Sequence, residues 1–372
     1  ASKGFVSANI HSSVTGVVNK TDSVIDASGF RQTAVFIDTT EDEWLETIDR
    51  SSEIITEIKY SPEEIIDKCL ESGIVGLGGA TFPSHVKLSI PRGKRCDVLI
   101  INGVECEPYL TSDHRLMLER SEEILVGITI LMKALRVTQA MIGIENNKKD
   151  AIARLTGLSG KFPGISIHGL KVKYPQGAEK QLIKALIKRE VPSGRLPLDV
   201  NTVVHNVGTA FAVYEAVQKN KPLFERVVTI TGKSLASPGN YFVRTGTSVR
   251  YLIEAAGGVP ENTGKIISGG PMMGKAVSNA DVPVVKGTSG IVLIPEEESS
   301  RSEMTPCIRC AKCVSVCPLN LEPYLLMTLS EKGEFERAVA EGITDCMECG
   351  SCSYCCPAHR PLLDYIRLGK SL

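Results

Sequence analysis

The sequence lacks the features of membrane-spanning, nucleic-acid-binding and secreted proteins. No run of about 18 apolar residues occurs, so no membrane-spanning helix is predicted. Lys and Arg total 42 against 43 Asp and Glu, and without a basic excess nucleic acid is not an expected main partner. No basic, apolar and small-residue signal pattern opens the chain. Cysteine is almost absent before residue 307, where only Cys69, Cys96 and Cys106 occur.

The composition is that of a folded multidomain protein. Hydrophobic residues make up 42% and charged residues 23% of the 372, a balance that excludes a disordered or collagen-like chain. At about 150 residues per domain, two or three domains are expected. The changes in pattern along the chain predict a partial β-rich domain and linker, an α/β domain, an α+β module and a cysteine-rich domain, over 1–50, 51–222, 223–295 and 300–372.

The pattern of apolar residues predicts the main elements. Short strands are predicted at 5–10, 16–18 and 34–37, before an acidic linker or exposed helix over 39–52. A helix is predicted to begin after Ser61, because Ser is a good N-cap and Pro62 fits the first helical position. Strands and helices then alternate, which indicates an α/β domain. The predicted elements are strands at 97–102, 140–144 and 165–167 and helices at 121–135, 148–155, 181–188 and 210–219.

A different pattern follows residue 225. Strands at 227–232 and 241–243 and a helix at 249–256 predict a compact α+β module. The charged stretch 296–300 is interpreted as a solvated linker. Helical stretches around 324–330 and 335–340 separate two cysteine runs and predict an α-helical ferredoxin-like domain.

The cysteine runs carry the strongest signal. Nine of the 12 cysteines lie between Cys307 and Cys356. Eight of these form two runs with the spacing C-x2-C-x2-C-x3-C-P, a pattern in which the fourth cysteine of each run ligates the other run's cluster. The sequence therefore predicts two [4Fe–4S] clusters, one held by Cys307, Cys310, Cys313 and Cys356 and the other by Cys346, Cys349, Cys352 and Cys317.

Zinc and disulfides are the alternatives for these cysteines. A structural zinc site usually uses well-separated pairs of ligands, and four cysteines within 11 residues do not follow that pattern. Cys355 is a surplus thiol, and the following Pro357 favours Cys356 as the ligand.

A glycine-rich loop, Gly76 to Lys87, follows the first predicted helix. Glycines let backbone amides approach a phosphate, and Lys87 adds a positive charge. A tight structural turn explains the glycines equally well. A second loop, 269–275, nearly matches a Walker loop, but Ala276 stands where Ser or Thr would bind Mg²⁺, so it is interpreted as an ordinary loop.

Polar residues also follow two apolar strands, in 102–108 (NGVECEP) and 205–209 (HNVGT). With 76–83 (GLGGATFP) and 174–179 (YPQGAE), these segments occur in the order in which similar ones occur in the FMN- and NADH-binding subunit of respiratory complex I. The whole chain resembles the C subunits of the Rnf family of ion-translocating ferredoxin:NAD oxidoreductases. The resemblance implies a complex I flavoprotein-like α/β domain, a β-grasp (SLBB-type) module and a two-cluster ferredoxin domain. The β-rich start of the chain would then be the end of a larger N-terminal domain.

The resemblance further implies a non-covalent FMN and a site for NAD(H). Glycines and a lysine would surround the phosphate and ribityl chain, polar residues from the strand ends would surround the remainder, and a third group would contact the dinucleotide. These sets are Gly76, Gly78, Gly79 and Lys87; Asn102, Glu105, His205, Asn206 and Thr209; and Phe82, Glu107 and Glu179. Gly177 is also expected to contact a bound cofactor. Val104, Ala178 and Tyr109 depart from the complex I pattern, which affects the NADH contacts.

Two of these residues have simpler interpretations. Phe82 is equally well explained as a core aromatic, because most aromatic side chains pack in the interior. His205 is also explained as a hydrogen-bonded structural histidine.

The function implied is electron transfer between NAD(H), FMN and two [4Fe–4S] clusters. By the resemblance, the chain would be a peripheral oxidoreductase subunit on the cytoplasmic side of the cell membrane, held by the other subunits of an Rnf-type complex, with an electron-transfer partner docking near the clusters. No catalytic residue beyond the flavin is expected. The alternatives are a soluble cobalamin reductase of similar architecture, an electron-transfer subunit that does not bind NADH, and a structural scaffold.

Overall fold

An antiparallel hairpin forms the first regular structure. In the computed structural model, which describes residues 4–371, β1 (Gly16–Ile25) pairs with β2 (Arg31–Thr39). The strand predicted at 5–10 is wrong. Asn9 instead uses its side-chain amide to donate to the carbonyls of Leu70 and Glu71. The predicted linker at 39–52 contains no helix.

The α/β domain begins with the helix that the capping signal predicts. In α1 (Pro62–Glu71) the Ser61 hydroxyl accepts from the Glu64 amide, and the Glu64 carboxylate accepts from the Ser61 amide. This reciprocal pair satisfies two amides that a helix start leaves unpaired. The elements that follow are α2 (Ser84–Leu88), β3 (Val98–Gly103), α3 (Ser112–Glu119), α4 (Ser121–Leu135), β4 (Ala140–Glu145), α5 (Lys149–Ser159), β5 (Ile165–Leu170), α6 (Glu179–Ile187), β6 (Thr202–Asn206) and α7 (Val207–Gln218).

Four of these strands form one parallel sheet in the order β5-β4-β3-β6. Ile100, Ile101 and Ile142 are fully buried in it, because helices cover both faces of a parallel sheet. The strands run in one direction, so their carboxyl ends meet at one edge. Asn102 on β3 lies level with Asn206 on β6 there, which brings two of the polar segments together.

The α+β module has a mixed five-stranded sheet in the order β10-β9-β11-β7-β8. β11 runs parallel to β7, and the other pairs are antiparallel. Its core includes Val228, Ile253 and Ile291. The stretch interpreted as a linker at 296–300 instead begins with a one-turn helix. The elements are β7 (Glu225–Gly232), β8 (Gly239–Arg244), α8 (Val249–Ala255), β9 (Thr263–Ser268), β10 (Lys275–Ala276), β11 (Gly290–Pro295) and α9 (Glu296–Ser299).

The cysteine-rich domain is helical. Its two main helices, Pro323–Glu331 and Leu362–Ser371, pack against each other and bury Leu326 and Ile366 at their contact. Its helices are α10 (Lys312–Ser315), α11 (Pro323–Glu331), α12 (Phe335–Ala340), α13 (Ser351–Tyr354) and α14 (Leu362–Ser371). Between residues 4 and 371, no helix is both long enough and apolar enough to cross a membrane.

Candidate cofactor sites

The glycine-rich loop is closed into a hairpin. The Gly76 amide donates to the Phe82 carbonyl at 2.9 Å, and Val75 and Pro83 form an antiparallel bridge. Gly79 has a φ of +117°, which favours glycine, and a Cβ added there would meet nothing within 4 Å. Phe82 is 38% exposed, so its ring is not a core residue. The loop therefore leaves open space beside Gly79.

The loop is tied to the carboxyl end of β6. The Leu77 amide donates to the Thr209 hydroxyl at 2.9 Å, and both residues are buried. Asn206 caps α7 by accepting from the Gly208 amide at 2.8 Å. A Cβ on Gly78 would lie 3.5 Å from the Cβ of Asn206. The loop thus lies directly on the 205–209 segment.

The segments 102–108 and 174–179 also meet. The Asn102 side-chain amide donates to the Gly177 carbonyl at 2.7 Å. The Gly177 amide donates to the Cys106 sulfur at 3.3 Å. All four segments predicted to form the flavin site therefore converge at one edge of the sheet.

Lys87 and His205 place a cation beside a neutral imidazole. The Lys87 ammonium donates to Glu179 at 2.8 Å and to the Val204 carbonyl at 3.0 Å. Burial lowers the pKa of His205 to about 3, and the positive charge of Lys87 adds to this effect. His205 Nε2 has no hydrogen-bond partner among residues 4–371. This atom can therefore accept or donate a hydrogen bond to a ligand.

The two glutamates of the 102–108 segment bind backbone amides. Glu105 accepts from the amides of Asp113 at 2.8 Å and His114 at 3.0 Å, and so caps α3. Burial raises the pKa of Glu105 to about 7, and the negative charge of the nearby Asp113 adds to this effect. Glu107 accepts from the amides of Met272 at 3.0 Å and Met273 at 2.7 Å. The near-Walker loop therefore holds a carboxylate of this chain.

Three charged residues near the site carry no clear sequence signal; Lys148 and Arg226 are buried and Asp113 is partly buried. Asp113 accepts from the Asn206 amide at 2.6 Å, and Lys148 donates to the Val104 carbonyl at 2.8 Å. Arg226 reaches from β7 and donates to the Leu77 carbonyl at 3.3 Å. The only signal for Arg226 is a single charge before the apolar run 227–230, whereas Asp113 and Lys148 carry no distinguishing pattern.

Four cysteines line one cavity in the helical domain. Cys317 from the first run and Cys346, Cys349 and Cys352 from the second surround about 390 Å³ of space, part of it open to solvent. Cys349 and Cys352 are buried. Among the described residues, no three His, Cys, Asp or Glu side chains converge as they would on a single metal ion. The four thiols that line this cavity are the ones that the cross-run set predicts for one cluster, and their role as ligands stays a prediction.

The other set lies nearer the surface. Cys313 and Cys356 pack with Cys352 beside Met327 and Leu362. Cys307 and Cys310 are exposed. Burial raises the pKa of the surplus thiol Cys355, and the nearby Cys313, Cys356 and Cys310 add to that effect. Cys355 therefore lies beside the first set.

Comparison with known protein families gives three matches, in chain order. Residues 69–215 match the Nuo51 FMN-binding domain, residues 227–276 the SLBB domain, and residues 299–357 a 4Fe-4S dicluster domain. The first match covers the four convergent segments, and the last covers both cysteine runs.

Curated relatives match the chain over its whole length. The C subunit of the proton-translocating ferredoxin:NAD(+) oxidoreductase complex of Clostridium ljungdahlii is 46% identical over 100% of this chain and 80% of its own length. The Na(+)-translocating counterpart of Acetobacterium woodii is 44% identical over 99% and 82%. The C subunit of the ion-translocating oxidoreductase complex of Rhodobacter capsulatus is 41% identical over 99% and 71%.

The chain belongs to this family of C subunits. It is thus an oxidoreductase subunit with an FMN-binding domain and a dicluster domain. Solved structures share the fold at low identity. The NAD+-reducing [NiFe]-hydrogenase in its H2-reduced state has a TM-score of 0.57 and 18% identity over 84% of this chain and 63% of that chain. Its air-oxidized state has a TM-score of 0.55 and 21% identity over 64% and 47%.

The residues present fit the cofactors of this family. The open space beside Gly79, the cation of Lys87 and the unpartnered His205 Nε2 lie around one edge of the sheet, which suits a phosphate-bearing flavin. The cavity lined by Cys317 and Cys349 offers four thiols, the donor set of a [4Fe–4S] cluster.

Proposed function

We propose that this chain transfers electrons between NAD(H) and two [4Fe–4S] clusters through a non-covalent FMN, as a peripheral subunit of a membrane ion-translocating ferredoxin:NAD oxidoreductase complex. One observation carries the proposal. The domain with the convergent flavin segments contacts the cluster domain directly at a cysteine ligand, through the hydrogen bond from Tyr174 to the Cys349 carbonyl at 2.7 Å. Gln181 adds a second contact, to the Pro318 carbonyl at 3.0 Å.

The chain's own residues bind and orient the cofactors. FMN, when bound, exchanges hydride with a nicotinamide and single electrons with clusters. Lys87 would neutralise the flavin phosphate, exchanging its ion pair with Glu179 for a contact to the ligand. The Asn206 side-chain amide donates to the Asn102 carbonyl at 3.4 Å and so links the two strand ends, and the Thr209 hydroxyl holds the glycine loop through the Leu77 amide.

Other predicted residues act indirectly on the site. Glu105 and Glu107 are occupied by backbone amides, so they would set the positions of α3 and the 269–275 loop around the flavin. Phe82, exposed at the loop's end, would stack on a ring of the dinucleotide. The cysteines would hold the clusters in the two cross-run sets.

We assign these roles to separate parts of the chain. The division is a β-rich part and linker at 1–50, the FMN and NAD(H) domain at 51–222, the SLBB module at 223–295 and the cluster domain at 300–372. We place the chain on the cytoplasmic side of the membrane, held there by partner subunits. Ion transport would belong to those partners. The relative named for proton translocation is 46% identical to this chain and the one named for Na(+) translocation is 44% identical, so the C subunit does not distinguish the two ions.

Cofactor analysis and fractionation test the proposal. The anaerobically purified chain is expected to contain about eight iron atoms and to bind one FMN. Expressed in its native cell, it is expected to sediment with membranes and to be co-purified with membrane subunits. Iron-free protein would contradict the cluster assignment. A chain that stays in the soluble fraction with both cofactors bound would instead favour the soluble reductase.

A further inference from the structure

One side chain of the FMN domain reaches a predicted cluster ligand. Tyr174 Oη donates to the Cys349 carbonyl at 2.7 Å, although 175 positions separate the two residues. Cys349 is buried and lines the same cavity as Cys317, Cys346 and Cys352. The hydrogen bond therefore ends on the backbone of one of the four thiol donors.

The same turn also touches the flavin site. Gly177, three residues after Tyr174, accepts from Asn102 and donates to Cys106. Pro175, between them, is buried. The turn is thus fixed at both ends, and the phenol is held against Cys349 by the structure of the flavin site.

Tyr174 is a donor throughout the physiological pH range. A tyrosine phenol ordinarily has a pKa of about 10, and Oη lies 2.7 Å from a carbonyl oxygen, which can only accept a hydrogen bond. The proton therefore remains on Oη, and the positive end of the O–H dipole points at the Cys349 carbonyl.

The peptide bond between Cys349 and Gly350 is also restricted on the side away from Tyr174. Gly350 has a φ of +78°, and a Cβ there would lie 3.0 Å from the Met272 carbonyl oxygen. Met272 is itself held, because its amide donates to Glu107 at 3.0 Å. The peptide between Cys349 and Gly350 is therefore confined between Tyr174 and the 269–275 loop.

We propose that Tyr174 is a positioning residue that raises the reduction potential of the cluster held by Cys317, Cys346, Cys349 and Cys352. The inference rests on the proposed function, because it requires that cluster. Reduction adds one electron to a cluster, and hydrogen bonds around the ligands are among the factors that set its potential. A donor pointing at the Cys349 peptide stabilises the added negative charge. Without it, this cluster becomes harder to reduce, and the other cluster is unaffected.

The test is a redox titration of the intact chain with both clusters, followed by electron paramagnetic resonance. Tyr174→Phe removes only the hydroxyl and keeps the ring. The matched control is Tyr354→Phe, whose ring lies in the cluster domain and is 83% exposed. Cys349→Ser identifies the signal of the cluster concerned, because it changes one ligand of that cluster alone.

The expected result is a lower midpoint potential for that signal in Tyr174→Phe, with the second signal unchanged and the control equal to the wild type. Equal potentials in Tyr174→Phe and the wild type would overturn the inference. An equal shift in the control would also overturn it. So would loss of iron from Tyr174→Phe, which would make the hydroxyl a requirement for assembly and not a determinant of potential. If the wild type itself lacks two cluster signals, it is the proposed function that fails.

Discussion

Replacing Thr209 by Val is expected to weaken FMN binding much more than it changes the fold. The hydroxyl of Thr209 accepts the hydrogen bond that holds the Leu77 amide, and this is a link between the glycine loop and α7. Valine has nearly the same shape, so the packing around the fully buried side chain is kept. The loop amide alone loses its partner.

The structure sets the size of the effect. A buried donor left without a partner costs about 1–3 kcal/mol. In the FMN-free variant the loop is expected to relax so that the Leu77 amide regains a partner, and FMN binding must then restore the conformation shown here. This free energy therefore opposes binding, up to the full cost of the unpaired amide. At about 1.4 kcal/mol for each tenfold change, the FMN dissociation constant rises about 5- to 140-fold.

Flavin fluorescence quenching of the FMN-free protein measures that constant. Thr209→Ser keeps the hydroxyl and is expected to bind FMN nearly as the wild type does. Thr202→Val is the matched control, because Thr202 is also fully buried and donates to the Val98 carbonyl at 3.0 Å, at the opposite end of β6. It should lower the melting temperature and leave FMN affinity unchanged. If Thr209→Val and Thr202→Val lose stability alike and bind FMN like the wild type, the glycine loop is not the flavin site.

Three further predictions concern the charge of Lys87, the cluster ligand Cys317 and the dependence of the free energy of unfolding on pH. Lys87→Met should weaken binding of FMN but not of riboflavin in equilibrium titrations, because the ammonium would contact only the phosphate; equal losses for both ligands would contradict this role. Cys317→Ser should lower the iron content from about eight to about four atoms and remove one of two paramagnetic signals, and loss of neither would refute the cross-run ligand set. Burial raises the pKa of Glu105 from 4.5 to about 7. Between these two values the folded protein holds a proton that the unfolded chain releases. The contribution of Glu105 to the free energy of unfolding therefore falls as the pH rises from about 4.5 to about 7. Denaturant unfolding at several pH values should show that slope reduced in Glu105→Gln, and an identical slope would show that Glu105 does not titrate there.

The cysteine spacing groups Cys317 with the second run because the ligand pattern of two-cluster ferredoxins is local in sequence, and the ligand set itself stays a prediction. Cys317 ends the first run, yet it lines a cavity with Cys346, Cys349 and Cys352 of the second run, which is the grouping that the C-x3-C-P spacing indicates. The helix after Ser61 was predictable for the same reason, since its cap lies within three residues of it.

Elements with distant partners could not be predicted in this way. α3 has no side-chain cap from Thr111, and Glu105 supplies the carboxylate for its first amides. The strands β9 and β11 depend on pairing with each other across the module, and this pairing joins segments that are more than 20 residues apart in the chain. Tyr174 was visible as part of a motif, but its contact with Cys349 depends on how two domains pack.

The central claim is that electrons pass between NAD(H) and the clusters of this chain through a bound flavin. The most direct test is an anaerobic NADH titration of the FMN-loaded protein, followed by flavin absorbance and by electron paramagnetic resonance of the clusters. The account predicts bleaching of the flavin together with the signals of reduced clusters. An unbleached flavin, in protein whose clusters dithionite still reduces, would contradict it.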